Sequence, residues 1–263
     1  MSQAPQDTTG THAATTGEDG AQPQVVAPAP LGVGAWTARA SLADTVELLA
    51  LVAQIEWATF LRLAATADAA PSPEQRLRLS REAAAAQARQ ERVLARIAQI
   101  EGGADRADEL MIAFDGTFED YEARTEPSSW WEGVLKSYVG HGVAGDFCRI
   151  VAGALDPESR EIVTEVIDAS VTSERAIGLL ERATSDDAVL ASRLALWGRR
   201  LVGEALSVVQ SILTQRPAFG RLVTTTLAEQ LDAADVPEDH TSWLFGQLTA
   251  EHTRRMARLG LAA

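Results

Sequence analysis

A carboxylate on an apolar helix stripe must be ion-paired, metal-bound or protonated, because burying it bare is too costly. Two such acids occur in this sequence. Glu56 falls among Val52, Thr59, Phe60 and Leu63, and Asp146 falls among Val139, Val143 and Ile150. Each either ligates a metal or hydrogen-bonds across a helical bundle. When four facing helices turn acids and histidines inward, they can hold a pair of metals with positions left open for dioxygen. Two of those helices then supply an acid and a histidine three residues apart, since that spacing keeps both on one face. Gln87 and Gln90 have the spacing but carry amides, which are much weaker iron ligands, and they read as core hydrogen-bonding residues. Ala169 and Thr172 occupy the facing positions of a later helix, and neither is a useful ligand. Glu165 and Asp168 are the alternative acids there, with Asp168 expected on the solvated side.

The histidines do not complete the set. His141 precedes Asp146 by five residues, about 500° of helix, so the two side chains diverge by about 140°. It aligns instead with Val134, Tyr138 and Cys148, as a core or pocket-edge residue. His12 lies in an N-terminal tail, and His240 and His252 lie near the C-terminus. Cys148 is the only cysteine, which excludes an internal disulfide and a multi-cysteine zinc site; mid-helix, it reads as a buried structural thiol. Gly32-Val33-Gly34 follows no strand, and no glycine-rich loop ends in Lys-Ser/Thr, so no phosphate cradle is expected. Phe60, Tyr138 and Trp131 are the candidate pocket residues.

These side chains must be carried by helices, because apolar residues recur at helical spacing almost throughout. The pattern predicts helices over about 41–67, with Ser41 as N-cap, and 73–100, stopped by Gly102-Gly103. A long crossover over 102–127 follows, with a helical piece near 111–122. Further helices are predicted over 128–154, over 157–183 with Pro157 in the first turn, over 187–213 and over 238–259, with a looser helical stretch between the last two. Two helices, a long crossover and two more helices is the connectivity of ferritin-like bundles. Residues 1–34 lack the basic start and apolar run of a secretory signal and read as a disordered tail, leaving 35–263 as the folded domain. No stretch approaches 18 uninterrupted apolar residues, so no membrane span is expected and the expected compartment is the cytoplasm.

Composition agrees. The chain is 46% hydrophobic but only 5% aromatic, with Ala and Leu dominant, which favours packed helices over sheets. Its formal charge of -14 works against generic binding to nucleic acid or anionic lipid. Lys136 is the only lysine. Clusters at Arg193, Arg199, Arg200 and Arg216, and at Arg254, Arg255 and Arg258, are expected to pair with surplus acid within the fold or between subunits. A homodimer through the fifth or the C-terminal helix is the expected assembly.

The stretches LLALVAQIEWATFLRLA, WWEGVLKSYVGHGVAGDF, LALWGRRLVGEAL and LTAEHTRRMARLGL resemble a family of actinobacterial ferritin-like proteins. That family is itself similar to the bacterial tRNA isopentenyl-adenosine hydroxylases, which are non-haem di-iron enzymes, and the likeness spans roughly 40–262. By this resemblance Glu56 matches the first-helix carboxylate and Asp146 a third-helix acid. Gln87 and Gln90 stand where the family pattern has Glu-x-x-His, Ala169 and Thr172 where it has an acid-x-x-His pair, and His141 where relatives carry an acid. The resemblance implies an all-α, ferritin-like four-helix bundle over about 41–183, with a long crossover and additional C-terminal helices over about 187–259. The departures from the family pattern at Gln87, Gln90, Ala169, Thr172 and His141 imply a di-iron site that has been lost, no cofactor, and a non-catalytic binding or scaffold role. The alternative that the resemblance implies is an iron-dependent hydroxylase using Glu56, Asp146, Glu165 and His141, acting on modified tRNA.

Overall fold

The computed structural model describes residues 39–263 except 69, 71, 170, 171, 233 and 234, with 172–175 described as helical backbone only. The expected tail, His12 and Gly32-Val33-Gly34 lie outside the described residues. Among the described residues the secondary structure is entirely helical. In chain order the α-helices are α1 (Leu42–Asp68), α2 (Pro73–Glu101), α3 (Ala104–Ile112), α4 (Glu119–Arg124) and α5 (Trp130–Val151). After a 3-10 turn at Ala152–Ala154 come α6 (Pro157–Asp168), α7 (Thr172–Thr184), α8 (Ala188–Gln215), α9 (Pro217–Gln230) and α10 (His240–Arg258).

The helix ends follow from local chemistry. Ser41 Oγ accepts from the Asp44 N–H at 3.1 Å, so α1 starts where a hydroxyl can satisfy a free amide. Ser72 does the same for the Gln75 N–H at 3.2 Å, and Asp156 for the Ser159 N–H at 3.0 Å just before Pro157. Gly102 ends α2 with φ 85°, a left-handed conformation that glycine adopts without strain. Replacing Ser72 with alanine removes its cap and its hydrogen bond to the exposed Glu74, so urea unfolding should show a loss of about 1 kcal/mol with an unchanged m-value.

α1 and α2 pack against each other along their lengths, and α5 packs chiefly against α8, with α10, α7, α9 and α6 also on it. The core forms two apolar clusters that share α5. Phe147, Cys148 and Val151 join α1, α2, α3 and α9, where Phe219 packs against both Phe114 and Phe147. Leu135, Tyr138, Val139 and Val143 join α7, α8 and α10. There Gly198 of α8 makes room for Met256 of α10, whose Cε lies 2.5 Å from where a Cβ would stand.

Two expectations change. The helix predicted over 157–183 is two helices, α6 ending at Asp168 and α7 starting at Thr172. The crossover holds α3 and α4, parted by a turn in which Gly116 has φ 78°, rather than one piece over 111–122. α1 is long and apolar enough to cross a membrane by length and composition, but 56% of its most apolar window is buried in the bundle, as in a core helix.

Candidate functional site

The helix register turns Glu56 into the bundle, where it is 1% exposed. Arg89 of α2 meets it, its Nε 2.9 Å and its Nη2 2.7 Å from the same oxygen, Oε2. Burial pushes the Glu56 carboxyl above its ordinary range, and the charge and hydrogen bonds of Arg89 pull it back. Asp146 of α5 is likewise buried and receives two guanidinium groups. Arg149, one turn on, approaches at 3.2 Å, and Arg255 reaches Oδ2 from α10. Its carboxyl is also raised by burial and lowered by Arg255.

The other predicted residues divide among different surroundings. Gln87 Nε2 donates to Gln90 and to Glu91, each at 2.9 Å, while Gln90 Nε2 reaches Met111 Sδ of α3 at 3.0 Å. The amide pair is thus engaged along its own helix and with the crossover. Glu165 is exposed and pairs with Arg92, and Asp168 pairs with Arg149 at 2.9 Å. Ala169 caps the C-terminal end of α6 at the surface, and the side chain of Thr172 lies outside the described residues. Phe60 stacks on Trp57 with ring centroids 5.4 Å apart, and Trp131 packs half-buried against the second core cluster. The Tyr138 hydroxyl donates to the Arg255 carbonyl at 3.2 Å. Burial raises the Cys148 thiol to about 12, which suits a structural thiol and not a nucleophile.

His141 has both ring nitrogens buried without a hydrogen-bond partner. Burial first, then the nearby charges of Arg62, Arg89, Arg255 and Arg149, lower it to about 4, so the ring is neutral at physiological pH. It borders an apolar cavity of about 70 Å³ between α1, α4, α5 and α8, walled by Leu51, Ile55, Phe118, Val143, Phe147 and Val209. At the cavity's polar edge, Arg62 pairs with Glu122 at 3.3 Å. Lys136 approaches the other oxygen of Glu122 at 2.5 Å, with its side chain 5% exposed and its Nζ 5.4 Å from the Tyr121 ring centroid. Phe60, Tyr138 and Trp131 do not line this cavity; Tyr138 lines a separate cleft between α5 and α10.

Sequence reasoning missed Arg89, and it expected Arg255 to pair with acid without naming Asp146 as that acid. Arg89 and Arg255 are each 12% exposed and occupy the two carboxylates that the spacing singles out. A di-iron centre needs carboxylate oxygens free for metal and imidazoles beside them. Here guanidinium groups take both oxygens of Asp146 and one of Glu56, amides stand at the Glu-x-x-His spacing, and the described residues gather no group of three or more His, Cys, Asp and Glu side chains placed to hold a metal ion. The acids and histidines of the described residues are therefore not gathered as in a di-iron bundle.

An all-α bundle carrying buried polar groups between facing helices has the architecture of the ferritin-like proteins. A family model for the ferritin-like domain of actinomycetes matches residues 40–226, and the chain belongs to that family. The matched region takes in α1 through most of α9 and stops before α10. No curated protein matches the chain.

Proposed function

We propose that this chain is a ferritin-like bundle without a di-iron centre, serving a non-catalytic binding role in which the emptied interior holds a small apolar molecule. The observation that carries this reading is the occupation of Glu56 by Arg89 and of Asp146 by Arg255 and Arg149. A guanidinium neutralises a buried carboxylate without offering open coordination positions, so it supports the fold where a metal would support oxygen chemistry. The apolar cavity beside His141 supplies the space. Exposed Val189 and Leu196 on α8 favour a homodimer through that helix.

The test is elemental analysis after anaerobic reconstitution of the full chain with ferrous iron. The expected result is less than about a tenth of an iron per chain, since guanidinium groups hold both oxygens of Asp146 and Oε2 of Glu56. About two irons per chain, with a near-ultraviolet band that depends on oxygen, would overturn the reading. That outcome would favour the hydroxylase alternative suggested by the likeness to tRNA-modifying enzymes.

A further inference from the structure

The cleft between α5 and α10, about 370 Å³ in volume, is lined by four arginines, Arg149, Arg254, Arg255 and Arg258, and by only two carboxylates, Asp146 and Glu251. The lining has more arginines than carboxylates, on a chain whose formal charge is -14, although Arg149 also reaches Asp168 outside the cleft. The charges are also not all spent on each other. Arg255 gives Nη2 to Asp146, but its Nη1 is buried and has no hydrogen-bond partner. Both buried, unpartnered nitrogens of His141 belong to a ring that lines the same cleft. Buried polar atoms are costly to leave unmet, and the Arg255 Nη1 is a donor.

The seat of Arg255 is shaped by the opposite helix. A Cβ at Gly142 would lie 2.1 Å from Arg255 Nε and 2.4 Å from Cζ, so the guanidinium lies directly against the α5 backbone. Arg255 is held on both sides: Asp146 takes one edge, and the Tyr138 hydroxyl anchors its carbonyl. A planar fork fixed in this way, with its Nη1 unpartnered, is pre-organised for an oxygen-bearing anion. α10 lies beyond the region matched to the family domain, so the cleft joins that domain to an element outside the match.

We propose that this cleft binds a small molecule through an oxyanion head, a carboxylate or a phosphate, which accepts from Arg255 Nη1 and is flanked by Arg254 and Arg149. The site shares only His141 with the apolar cavity and does not depend on the function proposed for that cavity. The experiment titrates the full chain with inorganic phosphate and, separately, with acetate, following thermal unfolding against sodium chloride at matched ionic strength. The expected result is a saturable rise of about 4 °C over the chloride control with one of the two anions, which also tells phosphate from carboxylate. Arg254→Gln changes a largely exposed side chain and should keep the fold while weakening the apparent affinity about tenfold. Gly142→Ala, which displaces the Arg255 guanidinium, should abolish the rise. No rise above chloride with either anion would overturn the proposal, as would a rise that persists unchanged in both variants.

Discussion

Replacing Arg89 with methionine should lower the unfolding free energy by about 3–5 kcal/mol at neutral pH, the usual cost of stranding one partner of a buried ion pair. Glu56 is 1% exposed, and Arg62, the next cation that acts on it, is already paired with Glu122. Glu56→Gln should cost less, about 1.5–3 kcal/mol, because the amide oxygen still accepts from Arg89. The double replacement of Glu56 and Arg89 by methionine should recover most of the loss, since no charge is then left buried. Urea unfolding of the three variants gives the comparison. The Arg89→Met deficit should also shrink on acidification, because protonation of Glu56 removes the stranded charge. A loss below 1 kcal/mol at neutral pH would mean that Glu56 does not rely on Arg89.

Stability should fall steeply as pH drops from 6.5 toward 4. His141 and His252 are both lowered from 6.5 to about 4, by burial first and then by positive charge, from four arginines at His141 and from Arg255 alone at His252. In that window the unfolded chain takes up protons on both rings while the native chain does not, so the unfolded state binds more protons and stability rises with pH. The contribution is complete above 6.5 and is lost on descent through about 4. A shift of this size is at most about 3 kcal/mol for each ring. The carboxyls of Glu56 and Asp146, raised by burial, act in the opposite direction, because the native state takes their protons first. Those of Asp44, lowered first by its hydrogen bond to Arg221, and Asp156, which Ser159 and Arg96 pull down against its desolvation, reinforce the acid loss. Urea midpoints measured across this window should flatten by about one proton for each of His141→Gln and His252→Gln. An unchanged slope in the double variant would show that neither ring is kept neutral by the fold.

The helices were legible because their signals are local. Ser41, Pro73, Gly102 and Pro157 mark ends that depend on neighbours within one turn, and the 3.6-residue stripe of α2 through Ala83, Ala86, Gln90, Val93 and Ile97 is buried as its period implies. The break between α6 and α7 was not legible, because no glycine or proline interrupts 158–177. The pairing of α5 with α8 also depends on packing that no local pattern records. At the candidate site, spacing alone identified Glu56 and Asp146 as buried acids, yet Arg89 and Arg255, which pair with them from other helices, lie 33 and 109 residues away. A signal did exist for them. Arg89 follows Ala86 by three residues at the edge of the buried stripe, and Arg255 needs a residue without a side chain opposite, which Gly142 provides.

Lys136 carries the one side-chain amine in the chain, and it is shut between Glu122 and the ring of Tyr121. Acylating reagents should therefore spare every side-chain amine of the folded molecule, and modification at this position requires α4 to lift away from α5. The rate at which Lys136 becomes labelled is then an intrinsic clock for the opening of the crossover, read by mass spectrometry without an introduced probe.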